Sequence, residues 1–456
     1  MQRMKRLATL FAFLCLFGLS ARPAAAQSIL RDAETEALLA EISRPIIQAA
    51  GLSPANVRVV LIQDKEINAF VAGGQIVYVN SGLIDAADSA NEVQGVIAHE
   101  LGHVVGGHAV FDRDGGYGGI SILSLLLGAA AVAAGAPDAG MGILMAGQRA
   151  AIGKYLAFSR TQEASADSAG ARFLTGARIS GKGMLEFFKK LDNLQHRYGI
   201  YTSDPEVDPF EQTHPMSADR IATLTQDLTK QPSWNTPSDP AMEMRFKRVQ
   251  AKLRGYVNEP KDTFRVYPSS NQSAVAHYAR AYAYHKAGYP EQAAAETAAL
   301  VKTAPNDPYF LELEGQIMLE SGDPKGALVP LRKATEETNY QPLIATTFGH
   351  ALIATEDSAN LVEAEKVLRQ AVARDNENPF AWMQLGTVYE QKGDEPRAAL
   401  ATAERADLMG DSRTALVSSR VAMAGLPKGS TDWIRAQDIM LVAQTAWEKA
   451  KKKGDR

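Results

Sequence analysis

The feature that most constrains the fold is a repeat in the second half of the chain. Small residues recur there in two series. Their spacings are 34, 34 and 37 residues in the first series and 34, 37 and 34 in the second: Ala281, Gly315, Gly349 and Gly386, then Ala293, Ala327, Ala364 and Ala398. A period of this length is typical of a unit of two helices that buries its apolar face only against neighbouring units. The second half is therefore predicted to be an α-solenoid.

Turn residues lie between the two series of small residues, at residues 288–290, 322–324 and 393–396, and a proline precedes the later units at Pro308, Pro342 and Pro379. This pattern resembles tetratricopeptide repeats, of which four are clear within residues 273–411. Residues 412–456 are predicted to be degenerate capping helices and a basic tail. Such arrays mostly bind proteins, which predicts that this half recruits a partner. The alternative is an appendage that only adds stability.

The first half carries the motif His99-Glu100-Leu101-Gly102-His103. On a helix, histidines at i and i+4 leave the same face one turn apart, so both rings can reach one zinc ion. Glu100 is rotated by about 100° from His99 and can address a water without being a ligand. Apolar residues at helical spacing on both sides predict that the helix is buried, where unpaired imidazoles would be costly. The alternative is a pair of core histidines satisfied without metal.

The first 26 residues have the features of a secretory signal peptide: a basic start, an apolar stretch from Leu7 to Leu19, and Ala24-Ala25-Ala26 as the cleavage site. Their removal takes away four positive charges and no negative ones, so the net charge moves from −4 to −8. That balance argues against nucleic acid as a partner. The single cysteine, Cys15, lies in this leader, so the mature chain has no thiolate to bind zinc. We expect export to a bacterial periplasm.

The half that carries the motif, residues 27–255, is predicted to begin with a helix over residues 31–50. Strands are then predicted at residues 56–64, 66–71 and 75–80. We expect the strand at 75–80 to be an edge that holds an extended substrate by main-chain hydrogen bonds. A purely structural hairpin is the alternative. Residues 256–272 are the predicted linker to the repeats.

A hydrolytic zinc site needs a third protein ligand and one open position. The sequence offers four candidates. His108 is nine residues after His99, one short of the metzincin spacing, and Glu92 is two helical turns from the motif. The others are Glu163, with Asp167 on the same helix face, and His214.

The motif together with Ser159-Arg160-x-x-Glu163-x-x-Ala166-Asp167 resembles the gluzincin peptidase family that includes the CAAX prenyl protease and HtpX. The resemblance implies that His99, His103 and Glu163 bind zinc, that Glu100 is the catalytic base, and that Asp167 orients a ligand. It also implies that His214, in a His-Pro pair followed by Arg220, lies near the zinc. There His214 either stabilises the oxyanion or occupies the open coordination position. A histidine that only caps a turn is the alternative.

A stretch rich in glycine and alanine, residues 115–147, contains fifteen apolar or small residues in a row at 120–134. A membrane span needs about twenty. We therefore interpret the stretch as a buried helix with glycine hinges that can act as a lid over the cleft, with peripheral membrane contact as the second interpretation.

The sequence thus predicts a mainly α protein: an α+β zincin-type (gluzincin) metallopeptidase domain followed by an α-solenoid of tetratricopeptide repeats. Its predicted activity is that of a periplasmic endopeptidase with one Zn²⁺ per chain, a zinc-activated water and Glu100 as general base. Arg220 is a further candidate for oxyanion stabilisation. The resemblance implies that the repeats bind misfolded or stalled outer-membrane proteins and their assembly machinery. The competing hypothesis is a repeat-based chaperone or adaptor whose zinc site is structural or normally closed.

Overall fold

The computed structural model describes residues 28–72, 74–108, 160–197, 214 and 217–454. The predicted signal peptide and the glycine- and alanine-rich stretch at 115–147 lie outside these residues. The described part contains a small sheet, a set of helices around it and a long series of paired helices, so the predicted fold class is confirmed.

The sheet has four strands in the order β1-β2-β4-β3: β1 Ser28–Ile29, β2 Arg58–Gln63, β3 Ala69–Ala72 and β4 Ile76–Asn80. Strand β4 pairs in parallel with β2 and antiparallel with β3. It is therefore interior, and the prediction of an edge at residues 75–80 is wrong. The alternation of Val77 and Val79, both fully buried, fixes which face of β4 meets the core. It does not fix how many neighbours the strand has, and the edge strands are β1 and β3.

Seven helices of the described residues belong to the first half: α1 Ala33–Ala49, α2 Ser81–Ala86, α3 Ala90–Gly106, α4 at residues 160–176, α5 Lys182–Arg197, α6 Ala218–Thr229 and α7 Pro240–Val257. Helix α3 lies at their centre, and its residues from Ala90 to His103 are all buried. A Cβ atom on Gly102 would lie 2.6 Å from the carbonyl oxygen of Ala166. Glycine at this position thus lets α4 approach α3 at backbone distance, which brings the α4 side chains to the histidines.

The second half begins after α8, Pro260–Val266, a helix within the predicted linker. Five helix pairs follow: α9 Ala274–Lys286 and α10 Pro290–Thr303, α11 Pro308–Glu320 and α12 Pro324–Glu337, α13 Pro342–Ala354 and α14 Leu361–Arg374, α15 Pro379–Gln391 and α16 Glu395–Leu408, α17 Ser412–Gly425 and α18 Thr431–Gly454. A Cβ atom on Gly349 would lie 2.6 Å from Cδ2 of Leu368 in the paired helix. The repeated small residues are therefore the positions where the helices of a pair meet.

The two halves are joined by packing and by ion pairs. Helix α7 packs on α9. The Arg248 guanidinium lies 2.7 Å from the Asp307 carboxylate at the start of α11, and that of Arg31 lies 2.8 Å from Asp375 after α14. Among the described residues, no helix is both long and apolar enough to cross a membrane.

Candidate active site

Helix α3 carries the sequence motif and fixes its geometry. The Ser89 side chain caps its first turn by accepting a hydrogen bond from the Glu92 amide, and the helix ends at Gly107, whose φ is +66°. His99 and His103 are both buried, and their Nε2 atoms lie 3.1 Å apart. The spacing of four residues therefore brings two imidazole nitrogens to one point, as predicted.

Helix α4 brings two carboxylates to these histidines. Oε1 of Glu163 lies 3.2 Å from Nε2 of His103, and its Oε2 lies 3.3 Å from Nε2 of His99. Oδ1 of Asp167 lies 2.9 Å from Nδ1 of His99, on the opposite side of that ring. Glu163 and Asp167 are four residues apart on one face of α4. Glu163 therefore contacts the Nε2 atoms of both histidines, and Asp167 contacts Nδ1 of His99.

His214 lies in the same group. Its Nδ1 is 3.3 Å from Nε2 of His99 and 3.2 Å from both carboxylate oxygens of Glu163, while its Nε2 is 3.5 Å from Oε1 of Glu100. One donor atom each from His99, His103, Glu163 and His214 fits within 4.8 Å, and all four side chains are buried. His214 is thus a neighbour of the two motif histidines and of Glu163.

Arg220, in the first turn of α6, holds the two carboxylates. Its Nε and Nη2 lie 2.8 Å from the two oxygens of Asp167, and its Nη1 lies 3.0 Å from Oε2 of Glu163. Burial by itself raises the pKa of both carboxyls, but hydrogen bonds outweigh it and lower the pKa of each: from Arg220 and His99 at Asp167, and from His103 and His214 at Glu163. Both groups are therefore ionised at neutral pH.

The charges and distances of this group fit a divalent cation. Three carboxyl groups are buried here, those of Glu100, Glu163 and Asp167, and the guanidinium of Arg220 contacts the last two. Both Glu100 oxygens lack a hydrogen-bond partner among the described residues. Atoms bound to a tetrahedral zinc at about 2.0–2.1 Å would lie about 3.3 Å apart, close to the 3.1–3.3 Å separations found here. Two imidazole nitrogens and a carboxylate oxygen are also donors that suit zinc.

The pKa of His99 reflects the negative charge of the neighbouring carboxylates. Burial alone lowers it, but the contacts with Asp167 and Glu163 outweigh burial and raise the pKa to about 10. The surroundings of the ring thus favour a positive charge. A proton and a metal cation compete for that place, so binding a cation here releases a proton.

The two remaining candidates for a third ligand lie elsewhere. The Glu92 carboxylate pairs with the ammonium of Lys190 at 2.7 Å and accepts a hydrogen bond from the Asp88 amide. Nδ1 of His108 lies 2.8 Å from Nδ1 of His103, the ring nitrogen turned away from Glu163. Neither side chain belongs to the group of four donors.

Sequence reasoning missed one contact that shapes the site. The Phe188 ring on α5 meets the His99 ring edge-on, with 5.4 Å between centroids, and the Arg220 guanidinium lies over the same ring at 5.6 Å. An apolar residue on an amphipathic helix carries no sign of such a role, so no pattern in the sequence could have identified Phe188.

The geometry agrees with a comparison of sequences. Residues 33–227, which include every side chain of the site described above, match the profile of Peptidase family M48. This part of the chain is therefore similar to a peptidase M48 domain. The peptidase domain is that of a metalloendopeptidase, as the motif predicted, and the group around His99 is the part of it that could bind a metal.

Proteins similar to this chain include assembly proteases of bacteria. The putative beta-barrel assembly-enhancing protease of Vibrio cholerae is 31% identical over 173 residues, which are 38% of this chain and 34% of that protein. The beta-barrel assembly-enhancing protease of Escherichia coli is 25% identical over 372 residues, 79% of this chain and 73% of that protein. The solved structure of YrrB, titled a TPR protein with an unusual peptide-binding site, covers 38% of this chain and 91% of its own at 21% identity and a TM-score of 0.32.

Proposed function

We propose that this protein is a zinc-dependent endopeptidase in which His99, His103 and Glu163 hold the zinc. The observation that carries the proposal is the convergence of these three donors beside Glu100, a buried carboxylate with no hydrogen-bond partner among the described residues. A purely structural zinc site would not require such a carboxylate. The choice of zinc rests on the donor set of two imidazoles and one carboxylate.

The reaction would divide between the metal and the protein. A zinc ion bound here supplies Lewis acidity, which activates water and polarises the peptide carbonyl at neutral pH. Glu100 accepts the proton that the attacking water loses, and then delivers it to the nitrogen of the leaving amine. Asp167 and Arg220 position His99 and Glu163, because the three guanidinium nitrogens of Arg220 are all engaged by carboxylates. We therefore assign Arg220 to positioning these carboxylates rather than to stabilising the oxyanion.

We propose that His214 occupies the fourth coordination position in a closed resting state. Its Nδ1 lies at 3.2–3.3 Å from its neighbours His99 and Glu163, which is where a fourth donor to a tetrahedral ion would lie. A catalytic zinc site needs that position for water or substrate. His214 must therefore leave before hydrolysis, so this side chain controls access to the fourth position.

We assign substrate binding to strand β3. It is an edge strand of the sheet, it contacts α3, and it can pair with an extended polypeptide through main-chain groups. Such pairing is independent of side-chain sequence, which suits a peptidase that acts on unfolded segments.

We further propose that the protein works in the periplasm on misfolded or stalled outer-membrane proteins and their assembly machinery. Support comes from the signal-peptide pattern of residues 1–26 and from the names of the similar bacterial proteases. The repeats would bind the client or a larger assembly. Half-exposed Phe380 and Met383 on α15 offer apolar contacts for this purpose.

The test is cleavage of an unfolded outer-membrane β-barrel protein by the full chain, with two variants. Glu100→Gln is expected to abolish cleavage while zinc stays bound, because the amide cannot accept the proton. His214→Ala is expected to raise the rate several-fold, because the fourth position opens. Equal cleavage by wild type and Glu100→Gln would rule out the peptidase proposal. Loss of activity in His214→Ala would instead make His214 an oxyanion donor.

A further inference from the structure

His108 folds back onto the helix that carries the motif. Its Nδ1 lies 2.8 Å from Nδ1 of His103, so the two rings meet through the nitrogens that face away from Glu163. The rings are at 75° to each other, with 4.9 Å between centroids. This contact has no place in the ligand set or in the reaction described above.

Two glycines build the contact. Gly107 has φ +66°, a conformation that side chains other than glycine rarely adopt, and it turns the chain at the end of α3. A Cβ atom on Gly106 would lie 2.8 Å from Cε1 of His108 and closer still to Nε2. The His108 ring therefore packs directly on the backbone of Gly106, and replacing either glycine would move the ring.

The direction of the hydrogen bond follows from what His103 has to do. Two Nδ1 atoms at 2.8 Å need one proton between them, donated by one ring and accepted by the other. If Nε2 of His103 is to offer its lone pair towards Glu163 and His99, the proton of that neutral ring must be on Nδ1. His108 is then the acceptor, with its own proton on Nε2.

We propose that His108 is a positioning residue that holds His103 in the tautomer and orientation needed to bind zinc. His108 would orient His103 as Asp167 orients His99. Nδ1 of His99 lies 2.9 Å from the Asp167 carboxylate. The difference is charge. A neutral imidazole orients the second ligand without adding a fourth carboxylate to a group that already has three.

This inference rests on the proposed zinc site, and its test is the zinc affinity of the full chain, measured by competition with a chromophoric chelator. His108→Ala is expected to weaken zinc binding about 10- to 100-fold, the usual effect of losing such a partner. Gly106→Ala is expected to weaken it by a similar factor, because the new Cβ displaces the ring. Since both act through one contact, the double variant should bind no more weakly than either single one.

Two further variants separate positioning from damage to the fold. His108→Asn places an amide oxygen near the position of Nδ1 and should restore most of the affinity. Val105→Ala, on the exposed side of the same helical turn, should bind zinc as the wild type does. Wild-type affinity in His108→Ala, or losses that add in the double variant, would overturn the role of His108. Failure of the wild type itself to bind zinc would overturn the proposed site instead.

Discussion

Two buried groups of charged side chains in this protein are similar in composition and differ in what they can do. The first is the peptidase site, where the carboxyl groups of Glu100, Glu163 and Asp167 are buried and the guanidinium of Arg220 contacts the last two. The second, the junction cluster, lies where α1 and α7 meet the first repeats. Its members are joined by ion pairs and by shared burial: Asp32, Glu34, Arg248, Lys252 and Glu312.

The junction cluster supplies its own positive charges. The Lys252 ammonium pairs with Asp32, and the Arg248 guanidinium lies 2.8 Å from Oε1 of Glu34. The Tyr278 hydroxyl donates a hydrogen bond of 2.6 Å to the other Glu34 oxygen. No metal-binding group of histidines and acids is found there, whereas one is found around His99, within the described residues. Of these two groups, only the one in which imidazole nitrogens converge with the carboxylates could hold a metal ion.

Each group contains a carboxylate oxygen without a hydrogen-bond partner among the described residues, and the two carboxyls need different explanations. At Glu312, burial raises the pKa to about 8, so the group keeps its proton at neutral pH. Glu100 lies beside four donor atoms spaced for a cation. An unsatisfied carboxyl therefore indicates catalysis only in the company of such donors.

The largest effect on this comparison is expected from Lys252→Met. Lys252 is 4% exposed and its ammonium is the partner of Asp32, so the loss of this charge leaves a carboxylate without compensation where the two halves meet. We expect the free energy of unfolding to fall by about 3–5 kcal/mol, measured by urea denaturation. Lys325→Met, on the exposed surface of α12, is the matched control and should change little. Equal stability of both variants would mean that the junction cluster does not depend on its own cation.

A smaller effect is expected from Glu312→Gln, and it depends on pH. The folded pKa of about 8 lies above the ordinary value of 4.5, so between these two values the folded state binds more protons than the unfolded state. The stabilising contribution of the protonated group is thus complete below about pH 4.5 and is lost as the pH rises through 8. We expect the variant to lose less stability than the wild type between pH 5 and pH 9 in urea denaturation. Identical pH profiles would contradict the buried, protonated state.

Much of the site could be predicted because its signals are local. The spacing of His99 and His103 on one helix, and of Glu163 and Asp167 on another, places each pair on one face whatever the rest of the chain does. The solenoid could also be predicted, because small residues such as Gly349 recur wherever paired helices touch. The helix faces needed only the period of a helix and the solenoid only the spacing of its small residues, whereas the choice of Glu163 as the third ligand came from the resemblance to gluzincins.

The rest depends on contacts between elements that are distant in sequence. The alternation in β4 predicts a strand but not its two neighbours, so the edge was assigned to the wrong strand. The contact of His108 with His103 depends on the left-handed conformation of Gly107, which a residue count along an ideal helix ignores. The burial of Lys252 follows from the packing of α7 on α9, and its sequence position gives no sign of it.

The most direct test of the account is the zinc content of the purified full chain after metal removal and reloading, measured by elemental analysis for the wild type and two variants. We predict one zinc per chain in the wild type and in Glu100→Gln, since the base is not a ligand, and no zinc in Glu163→Gln. A wild type without zinc, or a Glu163→Gln variant with the full content, would contradict the central claim that His99, His103 and Glu163 form a zinc centre.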